Sequence, residues 1–317
     1  MEYCIGMDVG GTTARLEIAD THGKVLCRSE GRGGTPLGCG NSEMTRRLAA
    51  LLEPALREAG LVPEECGSLV AGASGVDSER QREEYAGMLR RLGFPGTRIH
   101  VYNDCELLLE LMPPPCIALI AGTGSVAMGR AESGGPVRRS GGWSYLLSDE
   151  GSAPSIAIAA LRLLIRHWDG REESPALAAL AAEKYGFGGA EDVVDFFHSH
   201  LGEKDRIAAF APLAEQAAEL GDDPARRILL KAADELADLV RSAAAKLSVD
   251  GRPFSLLLWG SVALRSALIS SRLVQILRKT QPGILVYRLQ ASAVSCAARL
   301  ACGLPAKDAL EELVPPV

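Results

Sequence analysis

A short glycine-rich turn occurs twice in this chain, and this repeat constrains the fold more than any other feature. The first copy, Asp8-Val9-Gly10-Gly11-Thr12-Thr13, follows the apolar run 3–7, and the second, Gly122-Thr123-Gly124-Ser125, follows the apolar run 117–121. Each apolar run predicts a buried strand. A second short strand follows each turn, at residues 14–19 and 126–130. A repeated unit of this length predicts two similar lobes rather than a solenoid.

The two turns are also candidate phosphate sites. Adjacent glycines let the backbone approach a ligand closely, and hydroxyl groups beside free backbone N–H groups suit a phosphate. Asp8, at a strand end, can hold Mg²⁺ through water, because Mg²⁺ usually keeps several waters. For either turn alone, an ordinary hairpin is an equally good interpretation; the repeat favours phosphate. The residues expected at the phosphates are Asp8, Gly10, Gly11, Thr12, Thr13, Gly122, Thr123, Gly124 and Ser125.

Composition narrows the class of protein. A length of 317 residues favours two domains. The formal net charge of −6 argues against nucleic acid as the main partner. Eight cysteines without a C-x-x-C motif predict reduced thiols in a cytosolic protein. The chain opens on a strand instead of a signal peptide, and no apolar run has the length of a membrane span, so we expect a cytoplasmic protein without a membrane partner.

Strand and helix patterns alternate through the chain, which indicates α/β lobes with parallel strands. A glycine-rich loop at residues 31–40 carries Thr35, and Pro54 predicts a kink or an early end in the helix around it. Three prolines at 113–115 mark the lobe boundary, giving lobes 1–113 and 114–317. A helical insertion is expected at about residues 151–250, and a small-residue helix at 291–303 is expected to pack on the first lobe. The other expected strands are 24–29, 69–73, 99–102, 254–259 and 284–289, and the other expected helices are 42–59, 79–92, 157–168 and 224–249, with several short helices in 174–222.

Taken in order, these stretches resemble the sugar kinase, actin and Hsp70 ATPase superfamily. Within it they resemble the BadF/BadG/BcrA/BcrD group, most closely its N-acetylglucosamine kinase branch. The most specific stretch is Gly141-Gly142-Trp143 with Ser148-Asp149-Glu150-Gly151-Ser152, which is similar to the family's GGWG and GDEGS sequences. Residues 257–261 resemble its adenosine motif. The resemblance implies a ribonuclease H-like, actin-type ATPase fold: two similar α/β lobes with mixed sheets around a central cleft.

The resemblance also implies an activity, namely transfer of the γ-phosphate of ATP, with Mg²⁺, to a hydroxyl of an amino sugar such as N-acetylglucosamine or glucosamine. Asp104 matches the catalytic aspartate of the family. The positions expected near the sugar are Thr35, Ser74, Gly142, Trp143 and Asp149, and those expected near the adenosine are Gly260 and Ser261. The chain departs from the family at three places that bear on which sugar is used: Gly33-Gly34-Thr35-Pro36 replaces a loop with a sugar-binding asparagine, Ser144 replaces a glycine, and Ala153-Pro154-Ser155 replaces an aromatic-bearing helix start.

Structural interpretations of the same residues stay open at this point. Asp104 can cap a helix that begins at Glu106, Asp149 can cap the helix that follows it, and Trp143 can be a core residue. Two further functions compete with the kinase: an ATPase that activates a partner enzyme and shares an iron–sulfur cluster through cysteines, and a sugar-sensing regulator, for which no helix-turn-helix precedes Tyr3. A dinucleotide fold is excluded, because a hairpin rather than a helix is expected after Gly124. A homodimer is one possible assembly.

Overall fold

The computed structural model describes residues 2–94, 96–305 and 309–313, and it forms two compact units. The first comprises Met1–Pro113 with Leu289–Glu311, and the second comprises Pro114–Arg288 with Glu312–Val317. Each unit contains its own sheet and its own core of buried aliphatic side chains. The chain thus returns near its C-terminal end to the unit in which it begins.

The first unit contains a five-stranded mixed sheet in the order β3-β2-β1-β4-β5. Strands β1, β2 and β3 pair antiparallel, whereas β4 pairs parallel with both β1 and β5. The strands are β1 (Tyr3–Val9), β2 (Thr13–Asp20), β3 (Val25–Arg32), β4 (Cys66–Ala73) and β5 (Arg98–Tyr102). The helices of this unit are α1 (Pro36–Cys39), α2 (Asn41–Ala59), α3 (Glu79–Arg91), α4 (Asp104–Leu109) and, from the C-terminal segment, α13 (Ala293–Ala301), with one 3₁₀ turn at Pro63–Glu65.

The second unit repeats this topology. The second sheet contains β6 (Cys116–Ala121), β7 (Ser125–Arg130), β8 (Arg138–Gly141), β9 (Ser255–Trp259), β10 (Leu285–Leu289) and the edge strand β11 (Leu310–Glu312), in the order β11-β10-β9-β6-β7-β8. Strands β6, β7 and β8 are antiparallel, and β9 pairs parallel with β6 and β10, as β4 does with β1 and β5. The predicted fold class is therefore confirmed: an α/β chain with two similar mixed sheets.

Helices fill most of the second unit. They are α5 (Ala153–Trp168), α6 (Pro175–Tyr185), α7 (Ala190–Ser199), α8 (Lys204–Ala208), α9 (Ala211–Glu219), α10 (Asp223–Lys246), α11 (Ser261–Arg265) and α12 (Ala267–Thr280). Asp222 joins two of them, because its carboxylate accepts bonds from the Ala225 N–H at 3.2 Å and from the Ser174 hydroxyl at 2.8 Å. Within residues 2–94, 96–305 and 309–313, no helix combines the length and the apolar character that a membrane crossing requires.

Three local expectations need correction. Helix α2 does not end at Pro54 but continues to Ala59, because its stripe of buried leucines holds the last turns against the sheet. The stretch 31–40 is not an open loop, since β3 extends to Arg32 and Pro36–Cys39 form a short helix. Strand β8 was not predicted from the sequence, because its four residues, two of them arginine, lack an apolar pattern.

Helix α13 packs on β1 at very short range. A Cβ placed on Gly6 in the middle of β1 would lie 2.1 Å from the backbone nitrogen of Ala298. The helix contributes only small side chains at this contact, and Ser295 adds a polar link by donating to buried Glu17 at 2.8 Å. Only glycine in the strand permits this approach.

We expect Gly6→Ala to destabilise the first unit by about 1–3 kcal/mol or more, because the added methyl overlaps backbone atoms that cannot rotate away. Thermal unfolding followed by circular dichroism measures the change. Gly87→Ala is the matched control, since its Cβ would meet only the flexible end of Arg91 at 3.5 Å within helix α3. The control should leave the melting temperature unchanged or raise it slightly. Equal effects of the two substitutions would contradict the close contact.

Candidate functional site

Three parallel strands of the first unit end at one edge of the sheet. These are β1, β4 and β5, and they lead directly into Gly10, Ser74 and Asn103. The Ser74 N–H donates to the carbonyl oxygen of Val9 at 2.9 Å, which ties two of these strand ends together. The C-terminal edge of parallel strands is the usual ligand-binding edge of an α/β sheet. Asp8, Ser74 and Asp104, which were singled out from the sequence, therefore lie along a single edge.

The first glycine turn is bonded to the loop that follows β3. The Gly10 N–H donates to the Thr13 carbonyl at 2.9 Å and closes the turn. The Gly33 N–H then donates to the Thr12 carbonyl at 2.8 Å, and the Gly34 N–H to the Gly10 carbonyl at 2.9 Å. Gly11 and Thr12 remain exposed at the tip. The sequence analysis treated the loop and the turn separately; the structure makes them one element.

Asp8 is a half-buried carboxylate at the end of β1. Burial raises its pKa above the ordinary range of an aspartate, and Arg15, opposite it on β2, acts in the other direction. A carboxylate disfavoured by desolvation is well suited to a cation that replaces the lost water. Among the described residues, no cluster of three or more His, Cys, Asp or Glu side chains could hold a metal by itself. A single carboxylate is nevertheless sufficient for Mg²⁺ that also binds water and phosphate, so Asp8 fits the implied ion.

Thr35 and Ser74 lie on neighbouring loops of the first unit. Thr35 caps α1, and its Oγ1 accepts a bond from the Gly38 N–H at 3.0 Å. A Cβ on Gly75 would lie 3.1 Å from the Cβ of Thr35, so the two loops touch. Arg47 on α2, which the sequence analysis missed, donates to the Gly33 carbonyl and supports this loop from behind.

Asp104 is the first residue of α4 and is not its cap. Asn103 occupies the capping position: its Oδ1 accepts a bond from the Cys105 N–H at 2.9 Å, and Glu106 reaches back to the Asn103 N–H at 3.2 Å. The interpretation of Asp104 as the cap of a helix that begins at Glu106 is therefore wrong. The Asp104 Oδ1 accepts a bond from the Cys105 N–H at 2.9 Å, which orients the carboxylate at the start of the helix.

The second glycine turn and the turn after β9 lie side by side in the second unit. A Cβ on Gly122 would be 3.8 Å from the backbone nitrogen of Ser261. Gly260 has φ = 99°, and a Cβ there would lie 2.3 Å from the carbonyl oxygen of Ala121 at the end of β6. Only glycine fits this conformation and this contact. Thr123 and Ser261 are exposed at this edge of the sheet, as a ligand contact requires.

Ser125 has a structural partner. It is 1 % exposed, and its hydroxyl donates to the Glu150 carbonyl at 2.7 Å. The Ala153 N–H in turn donates to the Gly122 carbonyl at 2.8 Å. These two bonds hold Glu150 and the start of α5 against the glycine turn, so the Ser125 hydroxyl has a structural role in the second unit.

Trp143 is exposed by 70 %, which excludes the interpretation as a core residue. Its ring is covered on one side by Arg139, whose guanidinium carbon lies 4.3 Å from the ring centroid. The same guanidinium donates to the carbonyls of Gly141 and Gly142, both of which have positive φ. Arg139 thus fixes the segment that presents Trp143. The sequence analysis missed this role, because strand β8 itself was not expected.

Asp149 is a buried acid of the second unit. It is 8 % exposed, and its buried Oδ1 has no hydrogen-bond partner within the part of the chain that the structure describes. Burial raises the pKa of its carboxyl group, and Lys204 partly counters this effect. Helix α5 is capped by Ser152, so the interpretation of Asp149 as the cap is wrong. The carboxyl group borders a cavity of about 190 Å³ and lies next to Gly124.

Comparison with known proteins shows the family of this chain. The chain is 31 % identical over 265 residues to an N-acetylmuramic acid/N-acetylglucosamine kinase of Clostridium acetobutylicum, covering 83 % of this chain and 86 % of the relative. It is 26 % identical over 293 residues to an N-acetyl-D-glucosamine kinase of Dictyostelium discoideum, covering 89 % and 92 %. A solved structure of a suggested N-acetylglucosamine kinase from Chromobacterium violaceum superposes with a TM-score of 0.73 at 25 % identity, covering 95 % of this chain and 99 % of the other. The model of the BadF/BadG/BcrA/BcrD ATPase family matches residues 5–287, which confirms the resemblance stated above, and this chain belongs to that family.

Proposed function

We propose that the protein is an ATP-dependent kinase that transfers the γ-phosphate of ATP to a hydroxyl of an amino sugar. The proposal depends above all on Asp104, an acid at the ligand-binding edge that the helix does not need as its cap. A sugar hydroxyl is a poor nucleophile until its proton is accepted, and a positioned carboxylate supplies a base. The relatives described above, which share most of their length with this chain, are kinases of amino sugars.

Each unit contributes its own part to nucleotide binding. In the first unit, Gly10, Gly11 and the Thr12 and Thr13 residues would bind phosphate, and Asp8 would hold Mg²⁺ through water. In the second unit, the turn Gly122-Thr123-Gly124 would bind phosphate, and Gly260 and Ser261 would lie against the adenosine. When bound, Mg²⁺ neutralises the charge on the transferring phosphoryl group.

The sugar would be recognised by polar and aromatic groups, of which the Asp149 Oδ1 has no other hydrogen-bond partner among the described residues. In the second unit, Asp149 would accept hydrogen bonds from sugar hydroxyls, and Trp143, next to Gly142, would present the ring face that Arg139 does not cover. In the first unit, Ser74 and Thr35 would add hydroxyl contacts. Because a buried carboxylate oxygen without a partner is costly, a ligand that donates to it gains more than an exposed contact would provide.

A panel of sugars tests the proposal. ATP consumption is measured with N-acetylglucosamine, glucosamine, N-acetylmuramic acid, glucose and no sugar, with Mg²⁺ present. We expect turnover that depends on one of the amino sugars and a phosphorylated sugar among the products. ATP hydrolysis that no sugar accelerates, in an iron-containing preparation, would instead favour the activator ATPase.

Removing the Asp8 carboxylate should weaken the use of Mg²⁺. We expect Asp8→Ala to require a higher Mg²⁺ concentration for half-maximal turnover and to lower kcat, because the carboxylate that holds the ion through water is lost. The measurement is a Mg²⁺ titration of the initial rate at saturating ATP. An unchanged Mg²⁺ dependence and rate would contradict the assignment. Glu53→Ala, which removes an exposed acid from helix α2, is the control.

A further inference from the structure

A chain of charged and polar side chains joins helix α3 to the start of α4 in the first unit. The Arg82 Nη2 on α3 donates to both oxygens of Glu106, at 2.7 and 2.8 Å. Glu106 in turn accepts from the Asn103 N–H, and the Asn103 side-chain amide donates to Asp77 at 3.0 Å. The guanidinium and the Glu106 carboxylate are both largely buried, with side-chain exposures of 29 % and 12 %.

We propose that Arg82 is a positioning residue for the reaction, acting through Glu106 and Asn103 to hold the Asp104 carboxylate where it accepts the proton of the sugar hydroxyl. The inference rests on the proposed function, because it takes Asp104 as the general base. Arg82 itself is assigned no contact with substrate. Its effect passes through the capping box that fixes the first turn of α4.

The geometry supports this role for two reasons. Helix α4 has only six residues, so its own hydrogen bonds fix its first turn poorly and outside contacts must orient it. In the Arg82–Glu106 pair, one guanidinium nitrogen donates charge-assisted hydrogen bonds to both carboxylate oxygens, which ties the first turn of α4 to α3. It also comes from a different element, the 13-residue helix α3, whose apolar side is buried in the core of the unit. Asp104 is thereby fixed relative to the sheet rather than only to its own short helix.

A double-mutant cycle tests the proposal with the sugar that the panel identifies. We expect Arg82→Ala to lower kcat roughly 10- to 100-fold, since misplacing a reacting group by about 1 Å can cost about 10²-fold. The KM for ATP should change less than twofold. Glu106→Gln retains an N3 acceptor for the Asn103 N–H but loses the charge pair, so an intermediate loss is expected. In an Asp104→Asn background, Arg82→Ala should change kcat less than twofold, because the base that it positions is already absent.

Arg80→Ala is the matched control on the same helix, since Arg80 is exposed and forms an ion pair with Glu84, another residue of α3, at 3.8 Å. It should leave kcat unchanged. Equal factors for Arg82→Ala in the wild-type and Asp104→Asn backgrounds would overturn the inference, as would an unchanged kcat in the folded Arg82→Ala protein. If Arg82→Ala does not fold, Arg82→Lys and Glu106→Gln replace it, and their kcat losses in the wild-type and Asp104→Asn backgrounds are compared in the same way. Near-normal turnover of Asp104→Asn alone would refute the role of the base in the proposed function, a result that is distinct from failure of the Arg82 effect.

Discussion

Asp104→Asn should lower kcat about 10²- to 10⁴-fold, the range typical of a positioned general base. The asparagine retains the size and polarity of the side chain but cannot accept the proton of the attacking hydroxyl. The substitution leaves the capping box of α4 in place, because Asn103, and not Asp104, caps this helix. Only the modest attraction between an acid and the helix N-terminus is lost, about 0.3–1 kcal/mol.

Three measurements on the same preparation separate a role of Asp104 as the base from a role in folding: kcat, the KM for ATP and the melting temperature. We expect the loss to be confined to kcat. Asn103→Ala differs because it removes the cap of α4 and should cost about 1 kcal/mol of folding free energy, so its effect is not confined to kcat. A well-folded Asp104→Asn protein with near-normal turnover of its sugar would eliminate Asp104 as the base.

The repeated strand-turn-strand pattern predicted most of the fold. An apolar run, a glycine turn and a second run are local signals, and they placed β1, β2, β6 and β7 within about two residues of their observed ends. The duplication then predicted two similar sheets, and the five strands of the first sheet have counterparts in the same order in the second, which adds the edge strand β11. Strands β8 and β11 were not expected, because short polar or acidic edge strands have no periodicity of their own and form only when a neighbouring strand offers hydrogen bonds.

The candidate site was predictable in its residue types but not in its supporting contacts. Glycine and threonine directly after apolar runs predicted the turns at Gly10 and Gly122. The bonds from Gly33 and Gly34 back to the first turn join residues about twenty positions apart, and no sequence period signals such a contact. The contacts of Arg139 with Trp143 and of Arg82 with Glu106 were likewise not predictable from the sequence. In each, the tertiary fold brings an arginine to its partner.

Asp149→Asn should weaken sugar binding without lowering the stability of the folded protein. In the folded protein the buried Asp149 carboxyl has a raised pKa, so its charged form is disfavoured there relative to the unfolded chain. The stability contributed by this group is therefore present at low pH and is lost as the pH rises through the raised pKa. At neutral pH, Asp149→Asn removes a charge that the fold holds at a cost, and the melting temperature without sugar should stay equal or rise. This advantage should disappear as the pH falls to about 4, the ordinary range of an aspartate.

Binding of the sugar should be weakened by the same substitution. We expect Asp149→Asn to raise the KM for the sugar about 10- to 100-fold, because a hydrogen bond to a charged group contributes roughly 1.5–3 kcal/mol. The increase in melting temperature that the sugar produces in the wild-type protein should shrink accordingly. Glu183→Gln is the control: it neutralises an exposed acid on helix α6 that does not line the cavity beside Asp149, and it should change neither the KM for the sugar nor the melting temperature. A fall in stability at neutral pH with an unchanged KM would show that the Asp149 carboxylate serves the fold, since a buried carboxylate kept for a ligand must cost stability when the ligand is absent.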